Sequence, residues 1–574
     1  MAAGINIMAG GEAGQGIQSI GGVLVKTLVR GGFNVFADQD YESRVRGGHN
    51  FYRIRSSEEE VHALSQPLDL LIALNKETID IHEKEMKPGG LIVYDKEQTN
   101  VDNPGTNHFN VPFNRIAVDA AQNKIMANTV AVGAALGLAE FDFNILTGVL
   151  EEEFKRHGDK VVQDNIKAAK AGYEYAEEHC KECKFPRLPP RKSDGRKMLL
   201  SAHESLCLGA LAAGCKFVAG YPMTPSSNIL EFMADKGHEY GTVMIHVEDE
   251  ISAINMAVGA GFGGLRSMVA TSGGGFSLMV EGLALAGMTE TPVVIVLGQR
   301  PGPATGLPTR TEQGELMYAI HAGHGEFPRA VFAPKNAVDA FYVAIRAFNM
   351  AEKYQTPVII LTDQYLSSSY ESIGKFDLSK VAIDRGELVP GEKAGNGNYK
   401  RHLITPSGVS PRALPGLGKA LVVTDSDAHG EEGHIIEDAA TRKAMVEKRM
   451  SKMEGLKKDV FPPVFQQSYQ ARATLIGWGS TYGAIHEAAD MLNRDGFNVN
   501  TLHFNQLWPF PAEQAIEALD AAGKNIVIEN NAMSQLAGLI RRETGHSIDQ
   551  SVLKYDGRPF SPQEIYDRVR EEVA

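Results

Sequence analysis

The sequence predicts an α/β protein, with three α/β domains in series. Two observations carry this reading. Short apolar runs of strand length alternate with helical patterns, and two stretches of different composition divide them into three sets. At 574 residues the chain has room for roughly three to four domains, each with its own core. A hydrophobic content of 43% with 22% charged residues marks a globular rather than a disordered or fibrous chain.

The first domain is placed at residues 1–185, where strand-like runs at 5–8, 34–37, 68–74 and 91–94 alternate with helical patterns. Gly10-Gly-Glu-Ala-Gly14-Gln-Gly16 follows the first run and opens a helix. It misses the dinucleotide fingerprint, because Ser19 stands where the third glycine belongs. A tight turn that receives a phosphate, a pantetheine arm or nothing fits better. Residues 186–196 are proline-rich and basic, the composition of a semi-rigid linker. The second domain is placed at 197–385 and the third at 469–574. Between them, 386–468 is rich in glycine, proline and charge and holds a polar helical run from 437 to about 458. So long a connection is normally functional or interfacial, and it is expected to wrap a partner or a neighbouring protomer.

Composition also excludes several classes. A net charge of −14 argues against a nucleic-acid partner, which needs basic surface. No apolar run reaches the roughly 20 residues that span a bilayer, and the start leads straight into strand-like sequence, so a cytoplasmic location without membrane attachment is expected. Four cysteines speak against a disulfide framework. Cys180 and Cys183 form a Cys-x-x-Cys pair that could supply half a zinc or iron–sulfur site, but the four-thiolate spacing of a cluster is missing. No metal ligand is assigned to this chain.

Three blocks carry most of the chemistry. Tyr221-Pro-Met-Thr-Pro-Ser-Ser227, Glu248-Asp-Glu250-Ile-Ser-Ala-Ile254 and Thr271-Ser-Gly-Gly-Gly-Phe-Ser277 each follow a short apolar run. That places all three at strand-to-helix junctions, which lie together at the carboxyl ends of a parallel sheet. Thr224 reads as a helix N-cap with Pro225 as the first helical residue, leaving free N–H groups for an anion. In the second block the small residues Ala253, Ala257, Gly259 and Gly261 require close packing. A carboxylate there is partly desolvated and able to share a proton with a ring nitrogen. Each acid taken singly also fits a plain helix start.

Together these blocks, with Gly298-Gln-Arg300-Pro-Gly-Pro-Ala-Thr305-Gly-Leu-Pro-Thr-Arg310-Thr-Glu-Gln313, Asp425-Ser-Asp-Ala-His429-Gly-Glu-Glu-Gly433 and Val527-Ile-Glu529-Asn-Asn531, resemble the 2-oxoacid:ferredoxin oxidoreductases. The likeness is to their alpha subunit with the gamma domain fused at the front, in the form closest to the 2-oxoglutarate enzymes. It implies a gamma domain, a pyrimidine-binding domain for thiamine diphosphate and a transketolase C-terminal-like domain. The implied activity is the coenzyme A-dependent oxidative decarboxylation of 2-oxoglutarate to succinyl-CoA, with electrons passed to ferredoxin. In that family a glutamate hydrogen-bonds the aminopyrimidine, and the spacing through Ala253, Met256 and Gly259 selects Glu250, with Glu248 in reserve. Tyr221 and Pro222 fall on cofactor contacts. Thr224, Arg300 and Thr305 match positions that grip the substrate carboxylate, for which an arginine fork is suited. The likeness further implies Arg44, Arg46, Arg310 or a residue of the partner subunit as the cation for a second carboxylate, and Gly14, Gly16 and His49 as contacts to coenzyme A.

The diphosphate half of such a site needs a Gly-Asp-Gly motif and Mg²⁺ with hard oxygen ligands. Only Gly158-Asp159-Lys160 and Asp556-Gly557 are found here. The resemblance therefore implies a beta subunit holding Mg²⁺, the diphosphate and a 4Fe–4S cluster, and a dimer of alpha–beta heterodimers. The negative charge would repel an acidic ferredoxin from most of this surface, so electron delivery would need a local basic patch or another subunit. Pyruvate or branched-chain 2-oxoacid specificity, a transketolase without electron transfer, and a non-catalytic nucleotide-binding or scaffold subunit remain the alternative readings.

Overall fold

The computed structural model describes residues 4–43, 47–101, 104–181, 183, 185–189, 191, 197–390, 393–395 and 397–574. Arg44 and Arg46 therefore lie outside the described residues. The chain forms two compact units. The first comprises Met1–Leu200 with Ser368–Lys375 and Ser561–Gln563, and the second holds the remainder.

The first unit is built on an eight-stranded sheet. Its order is His108–Asn110, Met86–Tyr94, Leu68–Ala73, Gly4–Ala13, Gly47–Ser57, Asn34–Asp40, Ser369–Ile373 and Met198–Ser201. Leu68–Ala73 is buried along its whole length, as a central parallel strand covered on both faces must be. Helices Ala127–Leu138 and Asp159–His179 touch backbone to backbone. A side chain at Gly133 would run into Ala169, and one at Gly172 into Val130, so only glycine permits that approach. Cys180 and Cys183 are joined by a disulfide, which engages both thiols of the Cys-x-x-Cys pair.

The second unit contains a seven-stranded sheet in the order Gln506–Trp508, Ala330–Phe332, Pro357–Asp363, Val293–Gln299, Arg266–Ser272, Cys215–Gly220 and Val243–His246. The last six run parallel. Its three central strands are buried from end to end, as strands covered by helices on both faces must be. A five-stranded sheet is formed by Val464–Gln466, Val499–Phe504, Ala473–Trp478, Asn525–Glu529 and Gln550–Leu553.

The regions expected as separate domains at 197–385 and 469–574 share one core. Ile254, Phe276 and Leu316 belong to the same apolar cluster as Trp478, Phe504 and Leu536. Gln506–Trp508 also crosses over to pair antiparallel with Ala330–Phe332.

The intervening 386–468 segment seats on this unit through buried charge. Glu290 receives Lys448 at 2.6 and 2.7 Å, His402 Nδ1 at 3.0 Å, and Lys452. Glu352 receives Arg266 at 2.9 Å, Arg412 at 2.7 Å, and Arg385. These inward bonds seat the segment on its own unit and were not anticipated from its composition. The polar helix Ala439–Lys458 buries Lys448, Arg449 and Lys452 alongside Met445 and Leu456, so its inner face is cationic as well as apolar.

Candidate active site

Four neighbouring parallel strands of the second unit end on one edge of the seven-stranded sheet. Cys215–Gly220 leads into Tyr221, Val243–His246 into Glu248 and Glu250, Arg266–Ser272 into Gly273, and Val293–Gln299 into Arg300. The three blocks and the arginine are thereby brought together at the carboxyl ends of adjacent strands, where open α/β sheets bind their ligands.

The first block corrects the expected cap. The helix begins at Ser227, not Pro225, and Ser226 rather than Thr224 occupies its N-cap position. The cause is a tight turn in which Ser226 N–H donates to the Met223 carbonyl at 2.8 Å. The buried Ser226 hydroxyl donates to the Thr271 carbonyl instead of capping the helix. Thr224 contributes through its backbone: its carbonyl accepts a hydrogen bond from Arg300 Nη1 at 2.7 Å. Tyr221 and Pro222 are exposed at the strand end, and the Tyr221 ring lies 6.4 Å from that of His246.

In the second block Asp249 caps the helix Glu250–Phe262, its carboxylate accepting from Ser252 N–H at 2.8 Å. Glu248 is exposed, whereas Glu250 is only 4% exposed and its Oε1 is buried without a hydrogen-bond partner among the described residues. Such an orphaned acceptor costs free energy unless something outside the chain fills it. The glycine block makes the room: a Cβ on Gly275 would stand 2.7 Å from Glu250 Oε1. A carboxyl oxygen facing a side-chain-free helix start is the cradle a planar nitrogen heterocycle needs, so these residues fit the pyrimidine of thiamine diphosphate.

Arg300 opens a loop that returns at residue 315. Burial lowers its pKa from the usual arginine range, and Glu315 opposes that shift. Gly306, at φ +53°, folds the loop back so that Leu307 N–H meets the Pro301 carbonyl at 3.1 Å, leaving Thr305 exposed. Arg310 packs against the turn at Gly557. Gln313 ties the loop down by donating to the Trp478 carbonyl at 2.8 Å and accepting from Asn530 N–H at 3.0 Å. Glu529 accepts from Trp478 Nε1 and from Asn531, so this part of the Val527-Ile-Glu529-Asn-Asn531 motif braces the loop.

Sequence reasoning missed Glu315. Burial, aided by Glu312, pushes its carboxyl up to about 8 against the pull of Arg300. The available signal was a further acid only three residues beyond Glu312.

In the first unit Gly14 and Gly16 have φ of +91° and +77°, which glycine adopts freely. They line a cavity of about 350 Å³ with Ser19, Glu42 and Tyr52. His49 is buried beside this stretch of strand. Its Nε2 lies 2.7 Å from His82 Nε2, and His82 Nδ1 lies 2.6 Å from Glu85, which also accepts from Arg53 at 2.6 Å. Burial and the His82 charge lower the His49 pKa to about 4. This His82–Glu85–Arg53 chain was not legible in the sequence.

Comparison with known proteins defines the class. Residues 6–175, 208–448 and 471–565 match, in turn, family models described as pyruvate ferredoxin/flavodoxin oxidoreductase, its thiamine diphosphate-binding domain, and pyruvate:ferredoxin oxidoreductase core domain II. A 2-oxoacid:ferredoxin oxidoreductase subunit alpha from Sulfolobus sp. is 33% identical over 621 residues, covering 98% of this chain and 95% of that one. The 2-oxoglutarate synthase subunit KorA of Methanothermobacter thermautotrophicus is 32% identical, covering 64% of this chain and 97% of its own. A solved structure of the 2-oxoglutarate:ferredoxin oxidoreductase from Magnetococcus marinus, with 2-oxoglutarate, coenzyme A and succinyl-CoA bound, superimposes over 100% of both chains with a TM-score of 0.92 at 31% identity. The chain belongs to the 2-oxoacid:ferredoxin oxidoreductase family, as an alpha subunit. As an alpha subunit, it implies a partner subunit. Among the described residues no helix is long and apolar enough to cross a membrane.

Proposed function

We propose that this chain is the alpha subunit of a 2-oxoglutarate:ferredoxin oxidoreductase, which oxidises 2-oxoglutarate with coenzyme A to succinyl-CoA and CO2. The observation that carries this reading is the likeness over the full chain to the Magnetococcus marinus enzyme, whose structure holds 2-oxoglutarate, coenzyme A and succinyl-CoA. The beta subunit supplies Mg²⁺, the diphosphate site and the 4Fe–4S cluster, and ferredoxin takes the electrons. The complete enzyme is a cytoplasmic dimer of alpha–beta heterodimers.

Bound thiamine diphosphate supplies the electron sink for decarboxylation. The residues of this chain do the rest. Glu250, whose Oε1 has no partner within the described chain, accepts or shares the proton of a ring nitrogen. Tyr221 and Pro222 line the mouth of that cradle. Arg300, steadied by the Thr224 carbonyl, holds the substrate's C1 carboxylate, with Thr305 and Thr224 gripping the same end of the substrate. Arg310, Arg44, Arg46 or a residue of the partner subunit provides the cation for the second carboxylate. The cavity at Gly14 and Gly16 receives part of coenzyme A, with His49 behind it.

Co-expression with the beta subunit, followed by a panel of 2-oxoacids with a viologen acceptor, tests the proposal. The expected outcome is a kcat/KM for 2-oxoglutarate at least ~10-fold above that for pyruvate or branched-chain acids, the gain from pairing one further carboxylate. Preference for pyruvate or a branched-chain acid overturns it.

A further inference from the structure

The glycine stretch faces two acids with a buried carboxyl oxygen, Glu250 and the half-buried Glu315, and the reading above uses only one. A Cβ on Gly275 would stand 2.7 Å from Glu250 Oε1, and a Cβ on Gly273 would stand 2.8 Å from Glu315 Oε1. Both acids therefore border the first turn of the same helix, Gly273–Met288. Glu315 is held in place by its backbone, whose N–H donates to Gln299 Oε1 at 3.0 Å, and Gln299 is itself anchored to the Thr362 carbonyl at 3.1 Å. Its Oε2 is buried and without a hydrogen-bond partner among the described residues. A loop carboxyl fixed this firmly at its base, yet unpaired at its tip, is placed to meet a ligand.

We propose that Glu315 is a further substrate-binding residue of the oxoacid site, its neutral carboxyl donating a hydrogen bond to an oxygen of the ketoacid carboxylate held by Arg300. The inference rests on Arg300 binding that carboxylate, as proposed above. The charged groups around it are Arg300 at the end of its strand, Glu312 on the same loop, and Glu250 across the glycine stretch. Burial and Glu312 outweigh Arg300, so the carboxyl keeps its proton up to about pH 8. Protonated, it donates to a carboxylate; ionised, it repels one and competes for Arg300. The protonated form thus binds substrate, and affinity falls as the pH rises through that value.

The test uses the complete enzyme with its beta subunit and follows KM for 2-oxoglutarate from pH 6 to 9. For the natural sequence, KM rises about tenfold between pH 7 and pH 9, because the protonated fraction falls by that factor around a pKa of 8. Glu315→Gln cannot ionise and places its amide donor imperfectly, so KM is about threefold higher at pH 7 and level to pH 9. Glu315→Ala raises KM at pH 7 by about tenfold, the loss of one hydrogen bond to a charged group, with kcat nearly kept. A KM profile for Glu315→Gln that still climbs in parallel with the natural enzyme overturns the proposal. So does a loss confined to kcat or to thermal stability, which is what a purely structural residue gives. Arg300→Lys, measured alongside, separates this failure from that of its premise. If Arg300→Lys leaves KM unchanged, the carboxylate assignment falls and Glu315 with it; if it raises KM while Glu315→Gln tracks the natural profile, only the role of Glu315 falls.

Discussion

Two groups of buried carboxyls in the second unit face opposite fates. Glu290 and Glu352 are 1% and 2% exposed, and each is surrounded by cations from its own chain. Glu250 is 4% exposed, yet one of its oxygens has no partner among the described residues, and Glu315 nearby shares that condition. Burying a carboxylate is costly unless it is paired and hydrogen-bonded. The first group meets the condition internally and fastens a long irregular segment to the sheet domain. The second leaves it unmet, and such acids are where a cofactor or substrate is to be sought.

The largest expected effect that tests this division is on stability. Glu290→Gln leaves Lys448 and Lys452 buried without a counter-ion and lowers unfolding free energy by about 3–5 kcal/mol. The folded fraction keeps a near-normal kcat. A thermal midpoint equal to that of the natural protein would mean that the cluster does not fasten the segment. Next comes the reverse case. Glu250→Gln removes a buried acid with an unpaired oxygen, so the thermal midpoint holds or rises while turnover drops by about 10²–10⁴-fold. Near-normal turnover would transfer the role to Glu248 or end it. The smallest effect is on acid sensitivity. Although burial alone would raise it, the Glu290 pKa is held well below the usual 4.5 by Lys452 and Lys448, then His402. Its contribution is therefore complete above 4.5 and is lost as the pH falls through the folded value. Urea midpoints at pH 6 and pH 4 should accordingly fall further for the natural protein than for Glu290→Gln; equal falls would contradict the shift.

How much of this was legible depended on whether the signal was local. The apolar runs and the three blocks at their ends sit within a few residues of one another, so the strand-end placement of Tyr221, Glu250 and the glycines could be read directly. The cap at Thr224 was misread because a tight turn from Met223 to Ser226 intervenes and delays the helix start to Ser227. The Ser226 hydroxyl, which then stands at the cap position, is taken by the Thr271 carbonyl 45 residues away. Glu290 and Lys448 are separated by 158 positions, and nothing in either neighbourhood announces the pairing. A polar helix such as Ala439–Lys458 reads as solvated when the acid that buries its lysines is that distant. The choice between Glu248 and Glu250 came from family spacing, since both are acids beside one helix start; exposure is what distinguishes them in three dimensions.

The short strand Gln506–Trp508 bears on how this protein can be cut. It shields the outer edge of Ala330–Phe332, whose three residues are wholly buried. A truncated chain ending near residue 460 would uncover a flat, apolar rim with unsatisfied amides, the kind of surface on which sheets of separate molecules stack. Expression of the catalytic half alone should therefore yield aggregates, and any attempt to dissect the molecule does better to keep the last hundred or so residues attached.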